Sequence, residues 1–462
     1  MIADLKPYSE HKASSQAWLG DIPQHWSVLP NRALFAEVKD RNHPDEEMLS
    51  VTIKRGIVRQ KALLEGTSKK DSSNLDKSAY KLVQPRDIAY NKMRAWQGAI
   101  GASTLRGIIS PAYVVMRLHK DDDLPSYFHH LYRTPQFAKE AERWSYGITS
   151  DMWSLRPEHF KMIYTPEPPP AEQASIVRFL DWANGRLERA IRAKRKVIAL
   201  LNEQKQAVIH RAVTRGLDPS VPLKPSGISW LGDIPQHWEG KRSKYVYREV
   251  DNRSSTGEET HLSMSQKYGL IPSSQIEVKR LVSESYAGAK LCEKGDLVLN
   301  RLKAHLGVFA LAPERGLVSP DYTVFRPVRE LEERYFEAVY RTPACRVELR
   351  KRAKGIVQGF WRLYTDDFYD IRVPVPPLDE QKLIMAQLDI DLSGANIAIY
   401  RLEREIELLR EYRTRLVADV VTGKLDVRKA AVRLPEEAPP DTIEDEMGLI
   451  DDPETADEEV VA

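Results

Sequence analysis

Cysteine is nearly missing from this chain of 462 residues: only Cys292 and Cys345 occur. With no Cys-x-x-Cys pair and no histidine at ligand spacing, neither a disulfide framework nor a zinc site is expected, and no metal is assigned. A reducing cytoplasm is the expected compartment. No run approaches the roughly 18 apolar residues of a membrane-spanning helix, and the N-terminus lacks a charged-then-apolar leader. Signatures of chemistry are missing as well. There is no Gly-x-x-x-x-Gly-Lys-Ser/Thr loop for an ATP-driven motor. There is also no glycine-rich cofactor loop with an Asn/Asp-Pro-Pro-aromatic site, because Pro168-Pro169-Pro170 runs into Ala171. No catalytic residue and no cofactor are therefore expected.

Acidic charge is scarce in the body and concentrated at the end. Residues 436 to 462 hold twelve Asp and Glu and no Lys or Arg, which leaves 69 basic against 55 acidic residues in the body. The body is thus far more basic than the chain's net charge of +2 suggests. A surplus of this kind suits a polyanion partner, since Lys and Arg that neutralise phosphates release condensed counterions. The tail, with Pro435, Pro439, Pro440 and Pro453, reads as disordered.

What the chain does have, it has twice. Trp18-Leu19-Gly20-Asp21-Ile22-Pro23-Gln24-His25-Trp26 returns letter for letter as Trp230 to Trp238. Asn91 recurs as Asn300, Ser110-Pro111 as Ser319-Pro320 and Arg133-Thr134-Pro135 as Arg341-Thr342-Pro343. Gly147, Trp153, Phe160, Pro166 and Glu172-Gln173 recur as Gly355, Trp361, Phe368, Pro374 and Glu380-Gln381. This is one unit duplicated in order. Residues 39 to 90 and their counterparts near 249 to 299 share almost no letters. One scaffold therefore carries two unlike faces.

Each half reads as a mixture of short strands, such as Ala112–Met116 and Asp321–Phe325, and helices. Each ends at a proline-rich hinge, Pro166–Pro170 or Pro374–Pro377, which stops the preceding element and frees a helix to start. In the proline-free segments that follow, Leu187, Ile191, Lys194, Ile198, Leu201, Lys205, Val208 and Ala212 alternate spacings of four and three. So do Ala395, Ile399, Leu402, Ile406, Leu409, Arg413, Leu416 and Val420. That is the seam of a coiled coil. Gly185 and Gly394 leave room for a kink or a separate short helix at its start, and Gly216 and Gly423 are stop signals. Two unlike faces on a stiff rod form a ruler. If the target is duplex DNA, the site is split, asymmetric and interrupted.

The Trp-Leu-Gly-Asp-Ile-Pro-x-x-Trp segments, Gly-Ile-(x)4-Trp-x-Leu, Pro-Pro-(x)2-Glu-Gln-(x)2-Ile-(x)3-Leu-Asp and Val-Thr-Gly-Lys-Leu-Asp together resemble the specificity subunit of type I restriction-modification systems. The likeness runs from about Trp18 to Arg428, and Thr214-Arg215-Gly216-Leu217-Asp218 departs from the last motif. The resemblance implies an α/β (α+β) chain of two target recognition domains, residues 1–170 and 230–377. It further implies spacer helices at 171–214 and 378–422 in an antiparallel coiled coil, a linker at 215–229 and the acidic tail at 436–462. The implied partners are double-stranded DNA, two methyltransferase subunits that modify adenine, and translocating restriction subunits.

Positive charge retained in both copies suits phosphate, so Lys92, Arg94, Arg301 and Lys303 are candidate backbone contacts. Base readers are expected in the unlike regions: Lys54, Arg55, Arg59, Lys61, Lys69 and Lys70 in the first, and Arg253, Ser265, Gln266 and Lys267 in the second. Trp153 and Trp361 suit base stacking or, preferably, shared core packing. His25, His129, His130 and His237 read as structural or surface histidines rather than ligands. Glu172 and Glu380 offset a helix dipole, and with Gln173 and Gln381 they are candidates for equivalent partner-docking sites. Two rival readings are a self-sufficient endonuclease using Asp251, Glu277 and Lys279, and a coiled-coil adaptor that binds no DNA.

Overall fold

A computed structural model describes residues 5–64, 76–147, 152–265, 268–275, 286–303, 306–355 and 361–435. The acidic tail, Lys69, Lys70, Gln266, Lys267, Glu277 and Lys279 lie outside them. The chain divides into two compact units, residues 1–193 with 404–462, and residues 194–403.

In the first unit a four-stranded antiparallel sheet runs in the order Phe35–Val38, Tyr113–Leu118, Ile88–Asn91, Ile100–Ala102. Its residues alternate between two apolar layers, as the two-residue period of a strand requires. Ile88, Tyr90, Val114 and Met116 join the cluster of Tyr127, Phe128, Tyr132 and Phe160. Ala89 and Val115 instead join Leu49, Val51, Val83 and Ile109. Helices thus cover one face. The hairpin Leu49–Thr52/Gly56–Arg59 and the pair Lys81–Val83/Gly107–Ile109 supply the other layer. Burial on both faces explains why Ile88–Asn91 is buried at every position.

The second unit repeats this plan. Its sheet runs Tyr247–Val250, Tyr322–Pro327, Leu297–Asn300, Phe309–Leu311. Leu297, Leu299 and Phe325 face the helical side, whereas Val298 and Val324 face Leu262, Leu270 and Val318. The repeated Arg-Thr-Pro acquires a local reason here. Thr134 caps the helix Pro135–Arg143 by accepting from the Phe137 N–H at 3.2 Å. Thr342 caps Pro343–Arg352 from Cys345 at 3.4 Å, with proline at the first helical position each time. The expected linker is partly a strand, since Leu223–Pro225 pairs with Asp233–Pro235 and Ile228 is buried in this unit's core. The same strand is hidden in the first copy as His11–Ala13 against Asp21–Pro23.

Two long helices, Pro170–Arg215 and Leu378–Val421, run unbroken through Gly185 and Gly394, so neither glycine kinks its helix. The seam holds. Every one of its sixteen positions is buried or half-buried, among them the charged Lys194, Lys205 and Arg413. The helices pack together in opposite directions. In the first unit Ile176, Phe179 and Leu180 share a cluster with Leu416, Val420 and Val421, and Arg413 pairs with Glu188 at 3.1 Å. In the second unit Ala212 and Val213 share one with Ile384, Met385 and Leu388. Each unit is therefore a mixed α+β domain carrying the start of one long helix and the end of the other.

Both helices stop at a glycine in the left-handed region, Gly216 (φ +73°) and Gly423 (φ +76°). Past the second stop, the Asp426 N–H donates to the Lys6 carbonyl at 2.8 Å, joining the chain's two terminal segments.

Candidate nucleic-acid interface

The structure brings two of the expected contact regions of the first domain to one place, and Arg133 does it. This residue caps the end of the helix Pro125–Tyr132 and presents the two terminal nitrogens of its planar guanidinium fork. They reach the carbonyls of Thr52 (3.4 Å), Ile53 (2.7 Å), Lys54 (2.6 Å), Gly98 (3.2 Å) and Ile100 (3.0 Å). The first three carbonyls belong to the turn of the hairpin Leu49–Thr52/Gly56–Arg59, which carries the candidates Lys54 and Arg55. The last two follow the turn that carries Lys92 and Arg94.

That second turn is built alike in both domains, which accounts for the repeated asparagine. Asn91 Oδ1 accepts from Met93 at 3.0 Å, and Asn300 Oδ1 from Leu302 at 3.1 Å. An Asx turn of this kind reverses the chain without help from neighbours. The Lys92 carbonyl accepts from Leu155 at 2.9 Å and the Arg301 carbonyl from Leu363 at 3.1 Å. Lys303 is exposed and Lys92 and Arg94 half-buried. Arg301 also holds the neighbouring turn, donating to the Asp321 carbonyl at 2.9 Å. Trp153 packs edge-on against Trp96, centroids 5.6 Å apart, beside this turn. The Arg350 guanidinium lies 5.8 Å from the Trp361 ring.

The remaining candidates are dispersed. Arg59 is exposed and pairs with Glu47 at 3.2 Å, and Lys61 is exposed on the short helix Gln60–Leu64. Arg253 pairs with Asp251 at 2.9 Å and donates to the Gly288 carbonyl at 3.2 Å. Arg253 beside it, with Lys290 at 3.7 Å, holds the Asp251 carboxyl below its usual range. Among the described residues no cluster of His, Cys, Asp and Glu fit to hold a metal ion occurs.

Sequence reasoning passed over Lys39, Arg41 and Lys81. Burial lowers the Lys81 ammonium pKa, and the positive charges of Lys92, Arg41 and Lys39 lower it further, against Glu37. Lys92, Arg41 and Lys39 therefore lie near enough to the Lys81 ammonium to act on it. Their signal was a lysine repeated as Lys290, each donating to the carbonyl of the first residue of the central strand, Tyr113 or Tyr322.

The expected docking residues lie elsewhere, at the helix starts. Glu172 is buried and accepts from Tyr8, from Trp26 Nε1 at 3.0 Å and from His25 Nε2 at 2.7 Å. Glu380 takes Trp238 Nε1 at 2.9 Å and His237 Nε2 at 2.8 Å. Gln173 and Gln381 are buried, with their amides bonded to Pro168 and Pro376 and to the Leu124 and Glu332 N–H groups. These side chains are occupied inside their own unit. The histidines of the repeated nonapeptide are partly exposed, and each bonds the glutamate at the helix start of its own unit. Half-buried His129 accepts from the Ala102 N–H at 3.2 Å, and loss of hydration, then Arg133 beside it, pushes it down to about 3.

Comparison with known proteins agrees with this architecture. Residues 249–408 match the family model "Type I restriction modification DNA specificity domain". A relative assigned provisionally as the MjaX type I restriction enzyme specificity subunit of Methanocaldococcus jannaschii is 24% identical over 287 residues. That alignment spans 60% of this chain and 62% of the relative, so just under two thirds of the relative's length is matched. A chain in a structure addressing assembly and conformational transition of a type I R-M system shares the fold. Its TM-score is 0.59 at 16% identity, over 87% of this chain and 99% of that one. The HsdS subunit from Thermoanaerobacter tengcongensis aligns over 88% of this chain and 98% of its own, at 16% identity and a TM-score of 0.38. Residues 249–408 thus match a type I restriction modification DNA specificity domain, and the fold of the whole is similar to that of the type I R-M chain.

Proposed function

We propose that the chain reads DNA for a type I restriction-modification complex and performs no chemistry itself. Each domain reads one half of a bipartite, asymmetric site on double-stranded DNA in the cytoplasm. The antiparallel helices set the gap. Helices of 46 and 44 residues, at about 1.5 Å per residue, allow a rod of about 65 Å. At about 3.4 Å per base pair such a rod covers two helical turns at most.

The observation that carries this reading is the convergence at Arg133. A retained cationic turn suited to phosphate, Lys92 and Arg94, is tied to a hairpin tip two of whose three letters differ between the domains. Phosphate contacts set register while base contacts set sequence, and the two jobs call for constant and variable parts side by side. The basic body supports a polyanion target.

Methyltransferase subunits dock at two equivalent places beside the helix starts. There Glu172, Gln173, Glu380 and Gln381 act by fixing the helix geometry that a partner meets. Restriction subunits join the assembled complex.

The test is co-expression with the methyltransferase subunit encoded beside it, followed by single-molecule mapping of N6-methyladenine. Methylation at one split motif with a constant gap is expected. A short continuous motif, or none although the subunits associate, sinks the reading.

A further inference from the structure

Resting on the DNA-reading function above, we infer that the hairpin tip Ile53-Lys54-Arg55 determines which bases the first domain reads, with Arg133 as its positioning residue. The tip is a three-residue connection between the strands Leu49–Thr52 and Gly56–Arg59. A connection of this length is commonly closed by a left-handed residue, here Gly56 at φ +72°. Thr52 closes the turn from inside: its hydroxyl donates to the Gly56 carbonyl at 3.2 Å and accepts from the Arg55 N–H at 3.0 Å.

Below the tip the backbone has no slack. A Cβ on Gly56 would stand 3.0 Å from His129 Cε1, and one on Gly101 would stand 2.9 Å from His129 Nδ1. That imidazole, held neutral by burial, accepts from the Ala102 N–H at 3.2 Å. Arg133 then binds three successive carbonyls of the turn. The tip's backbone is thereby fixed by groups outside it, and the side chains at 53 to 55 are left to vary. Lys54 is exposed and Arg55 half-buried.

The second domain keeps the frame and the middle lysine and changes the two letters beside it. Leu262–Ser265 pairs with Gly269–Pro272 across another three-residue connection, Gln266-Lys267-Tyr268. Gly269 again has a positive φ, +74°. Arg341 donates to the Phe309 carbonyl at 2.8 Å, the bond that Arg133 makes to Ile100. In sequence the connection reads Ile-Lys-Arg in one domain and Gln-Lys-Tyr in the other, so two of its three letters differ, as readers of two different half-sites need. Arg and Lys pair with guanine edges and Gln with adenine.

The experiment uses the full chain with its methyltransferase subunit and maps N6-methyladenine for wild type, Lys54→Ala, Arg55→Ala and Arg133→Lys. For the two tip variants the expected result is relaxation at one or two positions of a single half-site. The loss of discrimination there is on the order of 10-fold or more, with the other half-site and the gap unchanged. Arg133→Lys keeps the charge and loses the fork. It relaxes the same half-site while binding of non-cognate duplex is unchanged, which a general loss of folding would not produce. Should that variant fail to accumulate, the two tip variants carry the test. An unchanged motif, or uniform weakening on every sequence, overturns the inference while leaving the function standing. A wild-type complex that methylates no split motif overturns both.

Discussion

The Tyr127 hydroxyl donates to the main-chain carbonyl of Val421, the last residue of the second long helix, at 3.0 Å. Its repeat, Tyr335, donates to Val213 near the end of the first helix at 2.9 Å. Each domain starts one long helix and grips the end of the other. Replacing Tyr127 by Phe leaves a buried helix-end acceptor short of a donor, a loss of about 1–3 kcal/mol. Hydrogen exchange will show faster opening of residues 404–421 and the first domain, with the second domain unaffected. Tyr335→Phe gives the opposite pattern.

His129 makes stability depend on pH. The folded chain holds this imidazole neutral down to about 3, against an ordinary value of 6.5. Between these values the unfolded chain binds a proton that the folded one refuses. The contribution is therefore complete above 6.5 and is lost as pH falls, at about 1 kcal/mol per pH unit. Unfolding midpoints measured from pH 7.5 to 5 will fall more steeply for wild type than for His129→Gln, once both are referenced to their values at pH 7.5.

Two glycines on one helix respond oppositely to alanine. Gly394 lies mid-helix with nothing within 4 Å of a Cβ, so Gly394→Ala adds about 1 kcal/mol of stability through helix propensity. Gly423 has φ +76°, and a Cβ there would collide with Pro23 and meet Trp26 at 3.0 Å. Gly423→Ala therefore lowers the melting temperature. An equal response at both sites would contradict the close seating of the helix end against Pro23 and Trp26.

The contrast shows what the letters could convey. The seam from Leu187 to Ala212 was readable because helical burial repeats every three or four residues within one segment. Identical letters likewise marked Asn91, Thr134 and Glu172, each of which makes a bond that its twin repeats. The hairpin at Leu49–Thr52 was not readable. Its strands are four residues long, its register depends on a layer built from distant segments, and the likeness of Leu49-Ser50, Lys54 and Gly56 to Leu262-Ser263, Lys267 and Gly269 sits at an offset of 213, out of step with the rest of the repeat. Arg133 stood in plain view as a repeated letter. Its five carbonyls come from parts of the chain 33 to 81 residues away, and no spacing rule links them. Lys39, Arg41 and Lys81 were overlooked for the same reason.

The division of labour between turn and hairpin can be separated by salt. If Lys92 and Lys303 contact phosphate, each releases counterions on binding, and the observed affinity falls with salt more steeply for every such contact. Lys92→Ala should then reduce the slope of log affinity against log salt by about 0.9. It should weaken binding to cognate and unrelated duplexes alike. Lys303→Ala should do the same through the second domain, and the double variant should lose the sum, because the two residues lie in different compact units and share no partner. Fluorescence anisotropy of the methyltransferase-bound complex on a labelled duplex, at several KCl concentrations, measures all three. Loss confined to the cognate duplex, with the slope unchanged, would reassign these lysines from the phosphates to the bases.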